Sequence, residues 1–390
     1  MRKLIATLLC LIAPALMAHE GHQGMAMPKG PELGASAAID GKGRLWLVDA
    51  ADGHIRLRHS DDFGRTLSAP LLVNAAAEPI YAEGENRPKI AFGKQNELYV
   101  SWSQPRAKPW TGFVRFARST DGGAHFSTPI TVHHDRAEIT HRFDAMAVDG
   151  QGRIVMAWID KRDLETATAK GKPYLGAAIY TSVSSDGGLS FAPEQKLMDQ
   201  SCECCRIAMA RTPQGDIGAF FRGIYGDNIR DHAYAVLHGD GRSSEAQRTT
   251  FSEWQIAGCP HHGPGLAIDS DGVRHAVWYE AKNQPTVWYG QLDPGHAPKH
   301  ALAIAGAGAS HADIVVSGRQ VWVVWNQVNA HGYELMLRTS HDGGEHFDEA
   351  RQIANTSGAT ASPQLLLWQD RAFVAWNTAA GFRLVPTEVL

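Results

Sequence analysis

A short two-strand unit recurs along the chain, and no other feature narrows the fold so far. Each copy is a brief apolar run, a tight turn bearing Gly or Asp, and a second apolar run ending in an aromatic. The clear copies pair residues 89–92 with 98–102, 143–148 with 154–158, 207–211 with 217–221, 265–269 with 274–278, 312–316 with 321–325 and 364–368 with 372–376. An opening copy, 36–40 with 45–49, carries Asp49 where the others carry an aromatic. Runs this short, and this rich in Val, Ile, Trp and Tyr, are strands. Long helical periodicity is absent. Spacings of about 47 to 63 residues are those of propeller blades. The expected fold is all-β: a β-propeller of four-stranded antiparallel blades, seven by the count of copies. The last unit has runs at 364–368, 372–376 and 382–389, and the sequence then stops. Its fourth strand, and with it closure of the ring, is expected from an N-terminal strand before Ser36.

The 390 residues are 44% hydrophobic and 20% charged, enough for a large core, and all-β folds of this length often form one domain. A net charge of -4 gives no basic surface for nucleic acid or an anionic membrane. The first residues read as an address. Arg2 and Lys3 precede an apolar run over 4–15, and Ala18 ends a small-residue site. A signal peptide over 1–18 is expected, with a cut after Ala15 as competitor. The apolar run is too short to span a bilayer comfortably, and Cys10 lacks the small residues a lipid anchor needs. The expected layout is a signal peptide (1–18), a His- and Met-bearing segment (19–33) and a single propeller (34–390). The expected location is the periplasm or the outside.

Four further segments share a second signature. They are Ser60-Asp61-Asp62-Phe63-Gly64-Arg65-Thr66-Leu67, Ser119-Thr120-Asp121-Gly122-Gly123-Ala124-His125-Phe126, Ser184-Ser185-Asp186-Gly187-Gly188-Leu189-Ser190-Phe191 and Ser340-His341-Asp342-Gly343-Gly344-Glu345-His346-Phe347. In each, Asp can accept turn amides, Gly permits positive φ, and the closing aromatic can tuck under the blade. These segments resemble Asp boxes, the BNR repeats of sialidase-like β-propellers. The resemblance covers roughly residues 34–390. It implies turns between the third and fourth strands of blades, away from the active face. Propellers of that family usually have six blades, so six is the alternative if one copy belongs to a shared, closing blade.

On that frame the residues preceding each innermost strand rim the central funnel. The rim positions are 83–87, 140–142, 202–206, 259–262 and 310–311. They hold Cys202, Cys204, Cys205 and Cys259, every cysteine after Cys10. The two cysteine-bearing loops open consecutive blades and are therefore expected to be neighbours. Two readings stand. Four cysteines in an exported chain usually form disulfides, although three crowd one loop and a Cys204–Cys205 bridge would be strained. The other reading is a soft-metal site of Cys202, Cys204, Cys205, Cys259, His261 and His262, with His311 completing the shell. Sulfur-rich ligation selects Cu(I), and mixed Cys/His ligation suits Zn(II). The spacing is not that of a zinc finger, there is no C-x-x-C-H haem attachment, and no nucleotide cofactor is expected.

His19 and His22, with Met25 and Met27, add imidazoles and thioethers to the expected mature N-terminus, a set that favours copper; an ordinary tolerant tail is the alternative. The family resemblance also implies a rival, an exo-α-sialidase. Such enzymes grip a carboxylate with three arginines and attack with a Tyr activated by a Glu. Arg87, Arg142 and Arg206 lie at funnel entries, Tyr279 and Glu280 at an upper loop, and Tyr225 is a further candidate. Glu83 and Glu85 stand where the family places its acidic Asp. A non-catalytic propeller that binds a small glycan or a periplasmic protein partner is a third reading.

Overall fold

A computed structural model describes residues 33–388. Seven antiparallel sheets follow one another along the chain. Blade one is β1 (Ser36–Ile39), β2 (Leu45–Ala51), β3 (His54–Ser60) and β4 (Leu71–Leu72). Blade two is β5 (Lys89–Phe92), β6 (Leu98–Pro105), β7 (Gly112–Ser119) and β8 (Ile130–Thr131). Blade three is β9 (His141–Val148), β10 (Ile154–Asp160), β11 (Ala177–Ser184) and β12 (Gln195–Ser201), with the helix α1 (Arg162–Ala169) inserted after β10. Blade four is β13 (Ala208–Arg211), β14 (Ile217–Arg222), β15 (His232–Leu237) and β16 (Gln247–Arg248). Blade five is β17 (Gly265–Ile268), β18 (Arg274–Glu280), β19 (Thr286–Gln291) and β20 (Lys299–Ala305). Blade six is β21 (Ala309–Ser317), β22 (Gln320–Asn329), β23 (Gly332–Ser340) and β24 (Arg351–Thr356). Blade seven has three described strands, β25 (Gln364–Trp368), β26 (Arg371–Thr378) and β27 (Gly381–Pro386).

The first strands of successive blades touch around the whole ring, β25 returning to β1. The seven-bladed propeller is thus the fold, not its six-bladed alternative. The N-terminal strand expected to complete blade seven falls, beyond Leu33, outside the described residues.

The core is divided among the seven gaps between blades, one apolar cluster in each. Second strands are therefore covered on both faces, and they read as nearly continuous apolar runs. β10 is buried along its entire length, whereas β20 at a blade edge is mostly exposed. Trp102, Trp158, Trp322, Trp325 and Trp376 are among the largest fully buried side chains. Truncating one to Ala costs about 3–5 kcal/mol. The gap between blades seven and one holds Ala37, Leu45 and Leu47 against Leu366 and Ala375, so the ring is closed by packing.

The turns confirm the sequence patterns. After first strands, Asp40 Oδ1 accepts the amides of Lys42 and Arg44 at 2.8 and 3.0 Å, and Asp149 and Asp269 repeat this. The four Ser-x-Asp segments all follow third strands, as expected. In each, Ser Oγ donates to Asp Oδ1 at 2.7–2.8 Å and accepts the amide four residues on. Gly188 has φ +84 and a Cβ there would stand 2.5 Å from the Phe116 ring, so no other residue fits unstrained. α1 was not anticipated. At eight residues, none buried, it carries no apolar stripe for a sequence pattern to reveal.

Candidate functional site

Glu85 draws the funnel mouth together. Its side chain is 2% exposed. Oε2 accepts the amides of Arg206 at 3.2 Å and Gly263 at 2.8 Å, while Oε1 faces His311 Nδ1 at 3.3 Å. One carboxylate from the loop before β5 thus joins the loops before β13 and β17 to β21. Burial pushes its pKa up, but Arg206 and His311 prevail and hold it at about 2. Arg206 donates to the carbonyls of Pro264 and Ala312 and lies 3.6 Å from Asp313. Arg87 donates to the Ser362 carbonyl at 2.7 Å, and burial, with Arg206 beside it, lowers its pKa to about 10. Arg142 stands elsewhere on the rim, its guanidinium 3.9 Å from the Tyr81 ring and 3.7 Å from Glu83, with the exposed Trp110 beyond.

Two of the three arginines are thus already engaged with the protein's own backbone. Arg87 and Arg206 bind carbonyls of the protein itself. Tyr279 and Glu280 are consecutive on β18, so their side chains leave opposite faces of the strand. Tyr279 stacks on His262, whereas Glu280 faces a cleft of about 170 Å³ with Asn283, Gln284, Thr286 and Trp288. The Tyr225 hydroxyl is buried and has no partner among the described residues.

The two cysteine loops meet, as the repeat implies. Cys202, Cys204 and Cys205 are buried and Cys259 is half-buried, all four packed in one cluster with Phe143, Ile159 and Ala177. Cys202 Sγ lies 3.4 Å from Cys205 Sγ and 3.8 Å from Cys204 Sγ, so these are thiol contacts and not disulfides. The three sulfurs lie within 4.8 Å of one another. Cys259 packs against this trio, its thiol within hydrogen-bonding reach of Cys202 and Cys204. Metal–sulfur bonds of about 2.3 Å put the sulfurs of a tetrahedral or trigonal site roughly 3.8 to 4 Å apart. The trio is already close to that spacing.

The imidazoles form a neighbouring layer instead of joining the sulfurs. His262 lies over Tyr279, ring centroids 4.1 Å apart, and 4.9 Å from His311. Burial, then His311, pushes the His262 pKa down to about 3. His261 is exposed. His19 and His22 lie outside the described residues.

Arg222, which the sequence reading did not single out, links the two layers. Its carbonyl accepts the Cys202 amide at 3.0 Å, and its Nη2 donates to the carbonyls of His262 and Tyr279. The residue is 1% exposed, yet among the described residues Nε and Nη1 have no partner, and the same is true of Nε2 on buried His232 opposite it in register. Unpaired buried polar groups cost about 1–3 kcal/mol each, so their concentration beside the thiols marks the site. The one available signal was a charge ending the apolar strand β14.

No family model matches the chain, and no curated protein is significantly similar to it in sequence. Solved structures do share the fold. An ulvan lyase, a polysaccharide lyase bound to -[GlcA(1-4)Rha3S]-, is 11% identical with a TM-score of 0.58, over 91% of this chain and 92% of that one. A Hadza microbial sialidase is 11% identical with a TM-score of 0.52, over 86% and 74%. A protein of unknown function from Dyadobacter fermentans is 13% identical with a TM-score of 0.51, over 90% and 92%. At these identities the likeness defines the class of fold, a propeller shared with sialidases and polysaccharide lyases.

Proposed function

We propose that this is an exported propeller of the Asp-box type that captures a soft metal ion at its funnel mouth, copper(I) first and zinc second. The observation that carries the reading is the buried trio of sulfurs within 4.8 Å of one another. Cys202, Cys204 and Cys205 would hold the ion, with the half-buried Cys259 as the sulfur that meets it first. His262 and His311 are the imidazoles that a zinc shell would draw on. Sulfur-dominated ligation favours Cu(I). Export rests on the N-terminal address and suits metal capture outside the cytoplasm.

The test is anaerobic titration of reduced protein with Cu(I) against a competing chelator, beside Zn(II). One tightly held Cu(I) per chain is expected, lost when Cys202, Cys204 and Cys205 are all replaced by Ser. Equal binding by the folded triple variant overturns the proposal. A glycan-active propeller is the second reading. It is supported by the fold likeness and by the Glu280–Trp288 cleft, whose amide, carboxylate and indole groups suit a sugar. The engagement of Arg87 and Arg206 with main-chain carbonyls argues against a sialidase grip on a carboxylate.

A further inference from the structure

Cys202 and Cys205 are three positions apart, the C-x-x-C spacing of redox-active dithiols. Their sulfurs stand at 3.4 Å, closer than the 3.8 Å between Cys202 and Cys204. A disulfide needs about 2.05 Å, so the two must close by roughly 1.4 Å, within reach of side-chain rotation. The backbone at both ends of the loop is pinned, Cys202 N–H to the Arg222 carbonyl and Arg206 N–H to Glu85. Bridging therefore does not require the loop to refold. Within the loop the alternatives are poorer: Cys204–Cys205 is vicinal and strained, and Cys202–Cys204 is both farther apart and tighter in ring size.

Access limits the oxidant. Cys202 and Cys205 are 2% and 3% exposed, and only Cys259 is half-open to solvent. A protein disulfide cannot reach the buried pair, but an ion passed inward from Cys259 can. Outside the cytoplasm that ion is met as Cu(II), which a pair of adjacent thiols reduces.

Resting on the metal-capture reading, we propose that Cys202 and Cys205 are a redox-active dithiol that reduces incoming cupric ion, leaving Cys204 and Cys259 to hold the cuprous product. Each thiol sulfur gives up one electron and its proton, and one S–S bond forms. Two Cu(II) ions take one electron each and become Cu(I), and two protons go to solvent. One Cu(I) stays on the remaining sulfurs and the other is released.

The experiment uses the full chain, reduced, freed of reductant under anaerobic conditions and given two equivalents of Cu(II). Cuprous ion is read with a Cu(I)-specific chelator, thiols by titration of the denatured chain, and the linkage by peptide mass mapping. The expected result is two Cu(I) formed, a drop from four thiols to two among positions 202, 204, 205 and 259, and a Cys202–Cys205 linkage. Cys202→Ser and Cys205→Ser should each lose this linkage and its paired two-electron yield. Mapping of the unaltered chain stands independently of how those variants fold. Four thiols persisting after Cu(II), in protein that binds Cu(I) supplied directly, overturns the dithiol while sparing metal capture. Failure to bind Cu(I) at all overturns metal capture itself. A linkage at any other pair, or between chains, overturns the assignment of Cys202 and Cys205.

Discussion

Replacing Glu85 with Gln keeps its shape and removes the charge that knits four blades together. A carboxyl held at about 2 against an ordinary 4.5 is stabilised in its charged form. At 1.36 kcal/mol per pH unit this comes to about 3 kcal/mol. Breaking a buried ion pair costs about 3–5 kcal/mol by a separate route. Arg206 would keep two carbonyls and Asp313, so the lower end applies. Glu85→Gln should therefore lose about 3 kcal/mol at neutral pH, read by urea denaturation with an unchanged slope. The pH dependence gives a sharper test. The folded-state pKa is depressed, so the unfolded chain takes the proton first as pH falls. The contribution is complete above about pH 4.5 and is lost as pH drops toward 2. The difference between the two proteins should shrink by about 2 kcal/mol between pH 4.5 and 3. A difference below 1 kcal/mol at pH 7, or one that stays constant down to pH 3, refutes the account.

In the Ser184–Phe191 turn, Gly188→Ala meets the Phe116 ring at 2.5 Å as well as a φ of +84, while Gly187→Ala, with φ +69, meets nothing nearer than an arginine nitrogen at 3.3 Å. The first should cost about 2–4 kcal/mol and the second about 1 kcal/mol; equal losses in a denaturation series would refute the packing argument. Burial holds His133 at about 2 and His262 at about 3, both neutral when folded, so the unfolded chain protonates first. Their contribution is complete above about pH 6.5 and falls away below it. Stability should therefore decline between pH 6.5 and 5, where few carboxylates titrate, and a flat profile there would count against neutral burial.

The blades were legible because one repeated requirement writes them: a second strand covered on both faces must be apolar throughout and fill its gap with an aromatic. Trp102, Trp158 and Trp325 meet that requirement and betray their strands. The Ser-x-Asp turns were legible for a related reason, since their bonds are local and use side chains the sequence displays. α1 was not, because a short exposed helix needs no pattern. The meeting of Cys202–Cys205 with Cys259 was legible only through the repeat, which turns a separation of more than fifty residues into adjacency. Which sulfurs approach, and that the imidazoles stand aside, depends on side-chain directions that a repeat does not encode.

Arg222 shows how the repeat could have yielded more. The position just after the aromatic, or one beyond it, lies toward the funnel-mouth end of the second strand. It is occupied by Ser103, Asp160, Arg222 and Asn326, each no more than 2% exposed. A buried polar group recurring at one place in a repeat has to be satisfied by the neighbouring blade or by its own. Ser103 donates to Asp144, Asp160 accepts Trp158 Nε1, and Asn326 bonds Ala361 O and Trp376 Nε1. Those three finish the fold. Arg222 alone of the four retains buried donors with nothing to receive them, and it is the member of the series whose carbonyl holds Cys202. A position that closes the blade elsewhere is left open beside the thiols. An unsatisfied group kept where its equivalents are all satisfied is the mark of a site built to receive something.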